Sequence, residues 1–498
     1  MTASSLIQQG VNAVTQGNLT EAENCFRQAF LLAKNEKAKF NIGAANLIRL
    51  LHQQNRNQEV VTIAKELGTE KMLELPQICI LMAAESALKA NENRVSATLY
   101  RSLHAQYPQE KMVVLGFSQA KLLLGELNEA DKVLREYAQK NVDDAEIETN
   151  IAIIALEKGN LKEAEARYRK ACKIAAKTFV VHFNLGKYLQ MHGDLDEALD
   201  EFDTCIEIVP GAIEAIVAKA ETLRSKGLEK ESHEIYIKAM ERNGLNGEQT
   251  IAIVKPLLAD AIEKADIATS RKYLEKITSE IRSDFRIKTI IHDLPEELQN
   301  EFGDGAELYE PSKLIVSKNL INDSSYLEKI KEHVLTHKSL IKNRPGKPTR
   351  GGKQSHEIMG TDNDVLKNLR QELENELTNY AYNMPASIRP PVDSTFRISG
   401  WTVSLESGGH QLRHSHPEAI ASGVLYLSIP SDMNLNDDDI RGSLYFSRGT
   451  GKAEARAMHV KATIGKLVMF PSYMPHETIP FQSTQARVCL AVNLIKVK

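Results

Sequence analysis

The chain has 498 residues, which is too long for a single hydrophobic core and predicts at least two domains. Its hydrophobic content of 42% and charged content of 26% are ordinary for a globular protein. The formal net charge of −4 does not favour nucleic acid as a partner. No stretch approaches the roughly 18 apolar residues of a membrane span, so we expect no membrane segment. Residues 1–10 lack a basic start followed by an apolar run, so we also expect no secretory signal.

The cysteine content argues against a disulfide framework and against a zinc site. The number is odd, no two form a Cys-x-x-Cys pair, and the positions are far apart: Cys25, Cys79, Cys172, Cys205 and Cys489. Isolated cysteines in apolar context behave as small core residues. We therefore expect a protein of the reducing cytoplasm.

The first half of the chain contains a repeat with a period of 34 residues. Small residues recur at this spacing: Ser96, Ala130, Ala164, Ala198 and Ser232. Four positions after each of them comes a large residue: Tyr100, Leu134, Tyr168, Phe202 and Tyr236. Positions four apart lie on one face of a helix, so the small residue allows close approach and the large one fills the gap. This pattern resembles the tetratricopeptide repeat, a helix–turn–helix unit of the same length.

The resemblance implies an all-α solenoid over residues 1–245, followed by capping helices and a junction over residues 246–310. Such solenoids hold extended peptides or partner helices in a groove. We therefore expect a protein or peptide partner, and neither nucleic acid nor a membrane.

The second half, residues 311–498, has a mixed pattern that predicts an α+β domain. Asp364–Tyr382 predicts an amphipathic helix, whereas Asn343–Gly360, with two prolines and four glycines, predicts a loop that could serve as a lid. After Pro391, short segments with alternating apolar residues predict the strands of a barrel or sandwich. These segments are Phe396–Leu405, Gly423–Ile429, Ser443–Phe446, Lys466–Phe470 and Val488–Leu494.

Histidines in this β region form a candidate metal site. His414 and His416 are two residues apart, so an extended segment presents both imidazoles on the same side. His476 follows a predicted strand, and Arg487 comes 11 residues later within another. Histidines on one face of a metal, with open positions opposite, are typical of non-haem iron oxygenases.

The segments Gly408–Pro417 and Phe470–His476, with Arg487 beyond them, resemble a bacterial family of 2-oxoglutarate–iron oxygenases, whose members often carry tetratricopeptide repeats in front. The resemblance covers most of residues 311–498 and is strongest from Trp401 onward. It implies a double-stranded β-helix (jelly-roll) fold, Fe(II) as the metal and 2-oxoglutarate as the cosubstrate. It further implies that Arg487 pairs with the far carboxylate of 2-oxoglutarate, with Tyr426 within reach of the cosubstrate.

The ligand pattern departs from that of the family. The usual triad is His-x-Asp/Glu followed by a distant His, whereas here His416 stands two residues after His414. The iron could be held by His414, His416 and His476, or His416 and Glu418 could form the His-x-Glu pair. In a third alternative His414 and His476 alone bind the metal and leave a position open.

The resemblance implies a dioxygenase, with hydroxylation as the expected reaction and with the repeats recruiting a protein or peptide substrate. Two alternatives remain. The chain could be a non-catalytic repeat adaptor with a degenerate barrel, or it could be an oxygenase or halogenase of a small metabolite.

Overall fold

The computed structural model describes residues 2–32, 37–344, 346–359, 364–433, 436, 438–446 and 457–497. The chain forms two compact units, one up to Lys170 and one from Ala171 onward. The predicted domain boundaries after residues 245 and 310 stay predictions.

The first unit consists of helices joined by short turns. Their bounds are α1 (Ala3–Thr15), α2 (Leu19–Leu32), α3 (Lys37–Gln53), α4 (Asn57–Leu73), α5 (Gln77–Lys89), α6 (Asn93–Gln106), α7 (Lys111–Leu123), α8 (Leu127–Ala138), α9 (Ala145–Glu157) and α10 (Leu161–Ile174), at which the unit ends. Consecutive helices pack against each other, as in α1 with α2, α5 with α6 and α7 with α8. The helix–turn–helix repeat predicted from the 34-residue period is therefore present.

The periodic small and large residues form the contacts between the helices of this array. Every member of both series is buried. Where serine replaces alanine in the small series, its hydroxyl donates to a backbone carbonyl on the preceding helix: Ser96 Oγ lies 2.9 Å from Ala84 O, and Ser232 Oγ lies 2.7 Å from Ala220 O. A buried hydroxyl satisfied in this way costs little stability. The two serines therefore fit among the alanines of the series without an unsatisfied hydroxyl.

The second unit begins with four more helices of the same kind. They are α11 (Phe179–His192), α12 (Leu195–Ile208), α13 (Ile213–Ser225) and α14 (Glu229–Met240). Aromatic packing again requires a small partner, since a Cβ on Gly186 would lie 2.7 Å from the Phe202 ring. Shorter helices follow: α15 (Gly247–Glu263), α16 (Ile267–Glu275), α17 (Ser279–Ser283), α18 (Phe285–Ile291) and α19 (Glu296–Phe302).

A β domain with two covering helices completes the second unit. After a 3₁₀ turn at Ala306–Tyr309 and the short α20 (Pro311–Leu314), its elements in chain order are β1 (Val316–Asn319), α21 (Ser324–Leu335), β2 (Ile341–Lys342), β3 (Thr349–Gln354), α22 (Asp364–Tyr382), β4 (Phe396–Gln411), β5 (Ala421–Ser428), β6 (Leu444–Phe446), β7 (Met458–Val460), β8 (Lys466–Pro471), β9 (Glu477–Thr478) and β10 (Arg487–Lys496). In the described part of the chain the strands form two antiparallel sheets. The larger has the order β1-β8-β5-β10-β4-β3-β2 and the smaller has the order β7-β6-β9.

The two faces of the larger sheet have different neighbours. One face packs on α22 and α21 in a core that also includes side chains of α13 to α19. The opposite face meets the smaller sheet, and Val403, Tyr426, Phe470 and Cys489 pack there against Phe446 of β6. Two sheets closed over such an interior form a jelly roll. Polar side chains on this face of the larger sheet, called the interior face below, therefore lie inside the barrel.

The predicted loop over Asn343–Gly360 contains a strand. Residues Thr349–Gln354 form β3, which pairs with β4 around a bulge near Gly352. Its glycine-rich, polar sequence has low β propensity, which explains the wrong prediction. The glycines are required by the pairing, since a Cβ on Gly352 would lie 2.6 Å from the Ser404 carbonyl oxygen.

Two expectations from the sequence, on the cysteines and on membrane segments, can be compared with the structure. All five cysteines are buried thiols outside any disulfide. Among the helices of the described residues, none combines the length and the apolar character that a bilayer crossing requires.

Candidate metal centre

Two chain segments bring three histidines together inside the barrel. The backbones of His414 and His476 form an antiparallel bridge, with N–H to O distances of 3.0 and 2.9 Å. His416 N–H donates to the Ser472 carbonyl at 2.8 Å, which fixes the second residue of the pair against the same segment. One ring nitrogen from each of the three histidines can be chosen so that all lie within 4.8 Å of one another. The three imidazoles could therefore coordinate a single ion.

Backbone carbonyls set the tautomer of two of these rings. His414 Nδ1 lies 2.7 Å from Leu412 O, and His476 Nδ1 lies 3.1 Å from Met474 O. A carbonyl oxygen only accepts, so Nδ1 carries the proton in both rings and Nε2 keeps its lone pair. Metal-binding histidines commonly donate their second nitrogen in this way, which orients the ring.

Burial keeps the three rings neutral. It lowers the pKa of His416 to about 3, and the neighbouring His414 adds to the shift. Burial also lowers the pKa of His414 and holds that of His476 well below the ordinary value. Neutral imidazole is the form that binds metal ions, and imidazole suits iron, zinc, copper and nickel.

The alternative ligand Glu418 lies outside this cluster. Its side chain is 65% exposed, and its Oε1 atom is 4.0 Å from His416 Nδ1. The structure thus brings His414, His416 and His476 together. Whether His416 or Glu418 is the third ligand, or whether that position stays open, remains a prediction.

Arg487 and Tyr426 lie next to each other on the interior face of the larger sheet. Arg487 is 1% exposed, and its Cζ atom lies 4.9 Å from the centre of the Tyr426 ring. Within the described residues no carboxylate forms an ion pair with Arg487, whose Nη1 lies 3.6 Å from Cys489 Sγ. Arg487 Nε and the Tyr426 hydroxyl also lack a hydrogen bond of normal geometry there. Burial raises the pKa of Tyr426, which therefore remains a neutral donor.

Further polar side chains lie close to these groups. Trp401 meets the His416 ring edge to face at 5.3 Å, and its Nε1 is buried without a hydrogen-bond partner among the described residues. The Thr478 hydroxyl is also buried without a hydrogen-bond partner among the described residues. Thr478 follows His476 by two residues, a spacing that places both side chains on the same side of an extended segment. From the sequence alone Trp401 is expected in the core or the pocket wall, whereas Thr478 is missed, because a single threonine in a two-residue strand has no distinguishing pattern.

A second group of potential ligands is better explained by hydrogen bonding. Cys172, His182 and Glu201 lie close together at the start of the second unit. Both nitrogens of His182 are already engaged, Nδ1 with Glu201 Oε2 at 2.6 Å and Nε2 with the Ala176 carbonyl at 3.0 Å. These two hydrogen bonds join neighbouring helices and occupy both ring nitrogens of His182.

Two protein-family models match segments of the chain. The model described as "Putative 2OG-Fe(II) oxygenase" matches residues 399–493, which include every candidate site residue. The tetratricopeptide repeat model matches residues 145–178. The chain thus has a tetratricopeptide repeat at residues 145–178 and, at residues 399–493, a domain that matches the putative 2OG-Fe(II) oxygenase family. The predicted fold class, a helical repeat array followed by an α+β jelly roll, is confirmed.

Similar solved structures include a tetratricopeptide repeat protein and a prolyl-4-hydroxylase. A tetratricopeptide repeat protein from Parabacteroides merdae ATCC 43184 shares 14% identity, with 50% of this chain and 97% of that chain covered and a TM-score of 0.39. A Pseudomonas putida prolyl-4-hydroxylase shares 16% identity, with 39% and 98% covered and a TM-score of 0.29. Comparison with curated proteins gave no match.

Proposed function

We propose that the chain is a non-haem Fe(II)- and 2-oxoglutarate-dependent dioxygenase that hydroxylates a protein or peptide held by the repeats. The observation that carries the proposal is the buried guanidinium of Arg487, which has no acidic partner among the described residues and shares the barrel interior with three neutral imidazoles.

The histidine cluster fits the metal that this family implies. His414, His416 and His476 would hold Fe(II) through ring nitrogens, with the Leu412 and Met474 carbonyls fixing the orientation of two rings. Ligands confined to one face leave other coordination positions open for small molecules. When bound, iron would supply the chemistry by which dioxygen converts 2-oxoglutarate to succinate and CO2 and a substrate C–H bond to C–OH, with one oxygen atom entering each product.

Arg487 fits the second carboxylate of the cosubstrate. A buried charge without a partner costs several kcal/mol, in the range of about 3–5 kcal/mol when an ion pair is broken. A bound dicarboxylate would supply the missing anion through paired hydrogen bonds, with the Tyr426 hydroxyl as a further donor. The apolar walls around both groups would exclude water and strengthen this contact.

The repeats support a protein or peptide substrate. Ile78 and Met112 occupy equivalent positions in the repeat, near the starts of α5 and α7, which pack together. Both are exposed, by 45% and 54%. Apolar side chains that recur on the surface of a repeat are suited to binding the side chains of an extended chain.

Succinate release from the purified chain with Fe(II), 2-oxoglutarate and oxygen tests the proposal. We expect turnover in the wild type and its loss in His414→Ala and His476→Ala. His410→Ala is the matched control, since His410 is a nearby histidine outside the cluster. Comparison of His416→Ala with Glu418→Ala then identifies the third ligand. No succinate from the iron-loaded wild type would favour the adaptor, and full activity of His476→Ala would refute the proposed site.

The substrate class needs a separate test. The double variant Ile78→Glu/Met112→Glu should retain uncoupled turnover of 2-oxoglutarate while losing hydroxylation of a polypeptide substrate. A small metabolite that stimulates turnover equally in the variant and the wild type would favour the metabolite oxygenase instead.

A further inference from the structure

Helix α18, which precedes the β domain in sequence, contacts both segments that carry the histidines. The Thr289 hydroxyl lies 2.8 Å from the Tyr473 carbonyl and 2.9 Å from the Phe285 carbonyl of its own helix, so its proton is shared between them. Its oxygen also lies 3.2 Å from Ser415 Oγ, which can donate to it. Ser415 stands between His414 and His416, and Tyr473 lies three residues before His476. One hydroxyl therefore joins the two segments.

A second contact comes from the turn after α18. Arg413 Nη2 donates to Asp293 Oδ1 at 2.6 Å, and His292 Nδ1 lies 3.1 Å from the same oxygen. Both partners hold the pKa of Asp293 below its ordinary value, although burial opposes this. Asp293 is therefore an anion and pairs with the residue immediately before His414.

The Tyr473 side chain extends the same connection. Its hydroxyl donates to the Leu308 carbonyl at 2.5 Å, and its ring packs edge to face against Phe285 and Tyr309 at 4.9 and 6.0 Å. Residues between Phe285 and Tyr309 thus hold Tyr473, and with it the segment before His476, through its backbone carbonyl, its hydroxyl and its ring.

We propose that Thr289 and Asp293 are positioning residues of the metal centre, which hold the two ligand segments at the separation that one ion requires. This inference rests on the proposed function, because it assumes that the three histidines bind a metal. The backbone bridge between His414 and His476 sets their register, whereas Thr289 and Asp293 anchor the bridged segments to α18. Supporting groups of this kind matter because a displacement of about 1 Å is enough to impair a site.

Binding of Co(II) to the metal-free, full-length chain tests the inference without relying on activity. The Kd is measured by titration, and the visible absorption bands of bound Co(II) report its coordination geometry. We expect Thr289→Val and Asp293→Asn to raise the Kd by about tenfold, as loss of outer contacts does in other metal sites, and to alter the bands. Thr289→Ser keeps the hydroxyl and should restore wild-type binding.

Thr204→Val is the matched control. Thr204 makes the same contact to the carbonyl four residues back, at 3.0 Å, but lies on α12 away from the histidines. It should leave the Co(II) Kd and spectrum unchanged.

The possible results separate this inference from the proposed function. If the wild type binds Co(II) and both variants bind it within twofold of the wild type, the inference is refuted and the metal centre stands. A lowered melting temperature in Thr289→Val with unchanged Co(II) binding has the same meaning, because the contact is then only structural. If the wild type binds no Co(II), the metal centre itself is refuted, and the inference falls with it.

Discussion

Replacement of Arg487 by methionine should have opposite effects on the stability of the ligand-free chain and on cosubstrate binding. Methionine keeps the unbranched shape of the side chain and removes the buried charge. Replacement of buried charged groups by apolar ones of similar volume is often neutral or stabilising, by about 1–4 kcal/mol. Because Arg487 has no carboxylate partner among the described residues, we expect the free energy of unfolding of Arg487→Met to be equal to or above that of the wild type.

Addition of 2-oxoglutarate should reverse this order. A truncated partner in a buried charge pair loses about 2–5 kcal/mol of binding, and about 1.4 kcal/mol corresponds to a factor of ten. The KM for 2-oxoglutarate should therefore rise at least about thirtyfold in Arg487→Met. A concentration of 100 times the wild-type Kd should stabilise the wild type by about 2.7 kcal/mol and the variant by much less.

The assay is thermal and urea unfolding of the metal-loaded chain, with and without 2-oxoglutarate. Arg169→Met is the control, since Arg169 forms a surface ion pair with Glu165 at 2.9 Å, and such pairs contribute about 0–1 kcal/mol. If Arg487→Met destabilises the ligand-free chain by about 3–5 kcal/mol, the guanidinium has an acidic partner within the protein and the reasoning is wrong. Equal stabilisation of both proteins by 2-oxoglutarate would show that Arg487 does not contribute to binding 2-oxoglutarate.

Three further predictions follow from the same structure. Tyr426→Phe should raise the KM for 2-oxoglutarate by about three- to tenfold without changing Co(II) affinity, since a neutral hydrogen bond contributes about 0.5–1.5 kcal/mol. Burial and a neighbouring arginine lower the pKa of His356 to about 4 in the folded chain, whereas the ordinary pKa of 6.5 applies in the unfolded chain. The unfolded chain therefore binds more protons than the folded chain between these two pH values. The free energy of unfolding should therefore fall between pH 6.5 and pH 4, and His356→Gln should reduce that slope in urea titrations. Gly352→Ala should lower the melting temperature through its contact with Ser404, by about 1–3 kcal/mol in stability, whereas Gly211→Ala, with open space around it, should not.

The elements that sequence predicted well are those whose pattern is local and periodic. The 34-residue series fixes which helix faces meet, and burial of every member follows from that spacing. Four of the five predicted strands have alternating apolar residues that meet a helix layer on one side and the barrel interior on the other. The fifth, Ser443–Phe446, corresponds to β6 of the smaller sheet and packs into the barrel interior. β3 escaped prediction because its stability comes from backbone pairing with β4 and its glycines contribute no apolar pattern.

The candidate site likewise has a part that local spacing predicted and a part that it did not. Spacing of two residues placed His414 and His416 on one side of the chain, but it could not bring His476 to them, since that contact is made by an antiparallel bridge. The support from Thr289 joins residues 126 positions apart, and threonine in a helix has no property that indicates such a contact. Long-range polar contacts of single residues are therefore the part of the site that required the structure.

The three-histidine arrangement also bears on the choice of cosubstrate. A carboxylate ligand would cancel part of the charge of a divalent metal, whereas three neutral imidazoles cancel none. The barrel interior would then contain two uncompensated positive groups, the metal and Arg487, where water is excluded and charges interact strongly. A dicarboxylate such as 2-oxoglutarate places one anion at each of them, whereas an analogue with its far carboxylate amidated leaves Arg487 unpaired. We therefore expect the wild type to bind the amide at least about thirtyfold more weakly than 2-oxoglutarate, as measured by inhibition of succinate release. Arg487→Met should bind the amide and 2-oxoglutarate with equal affinity.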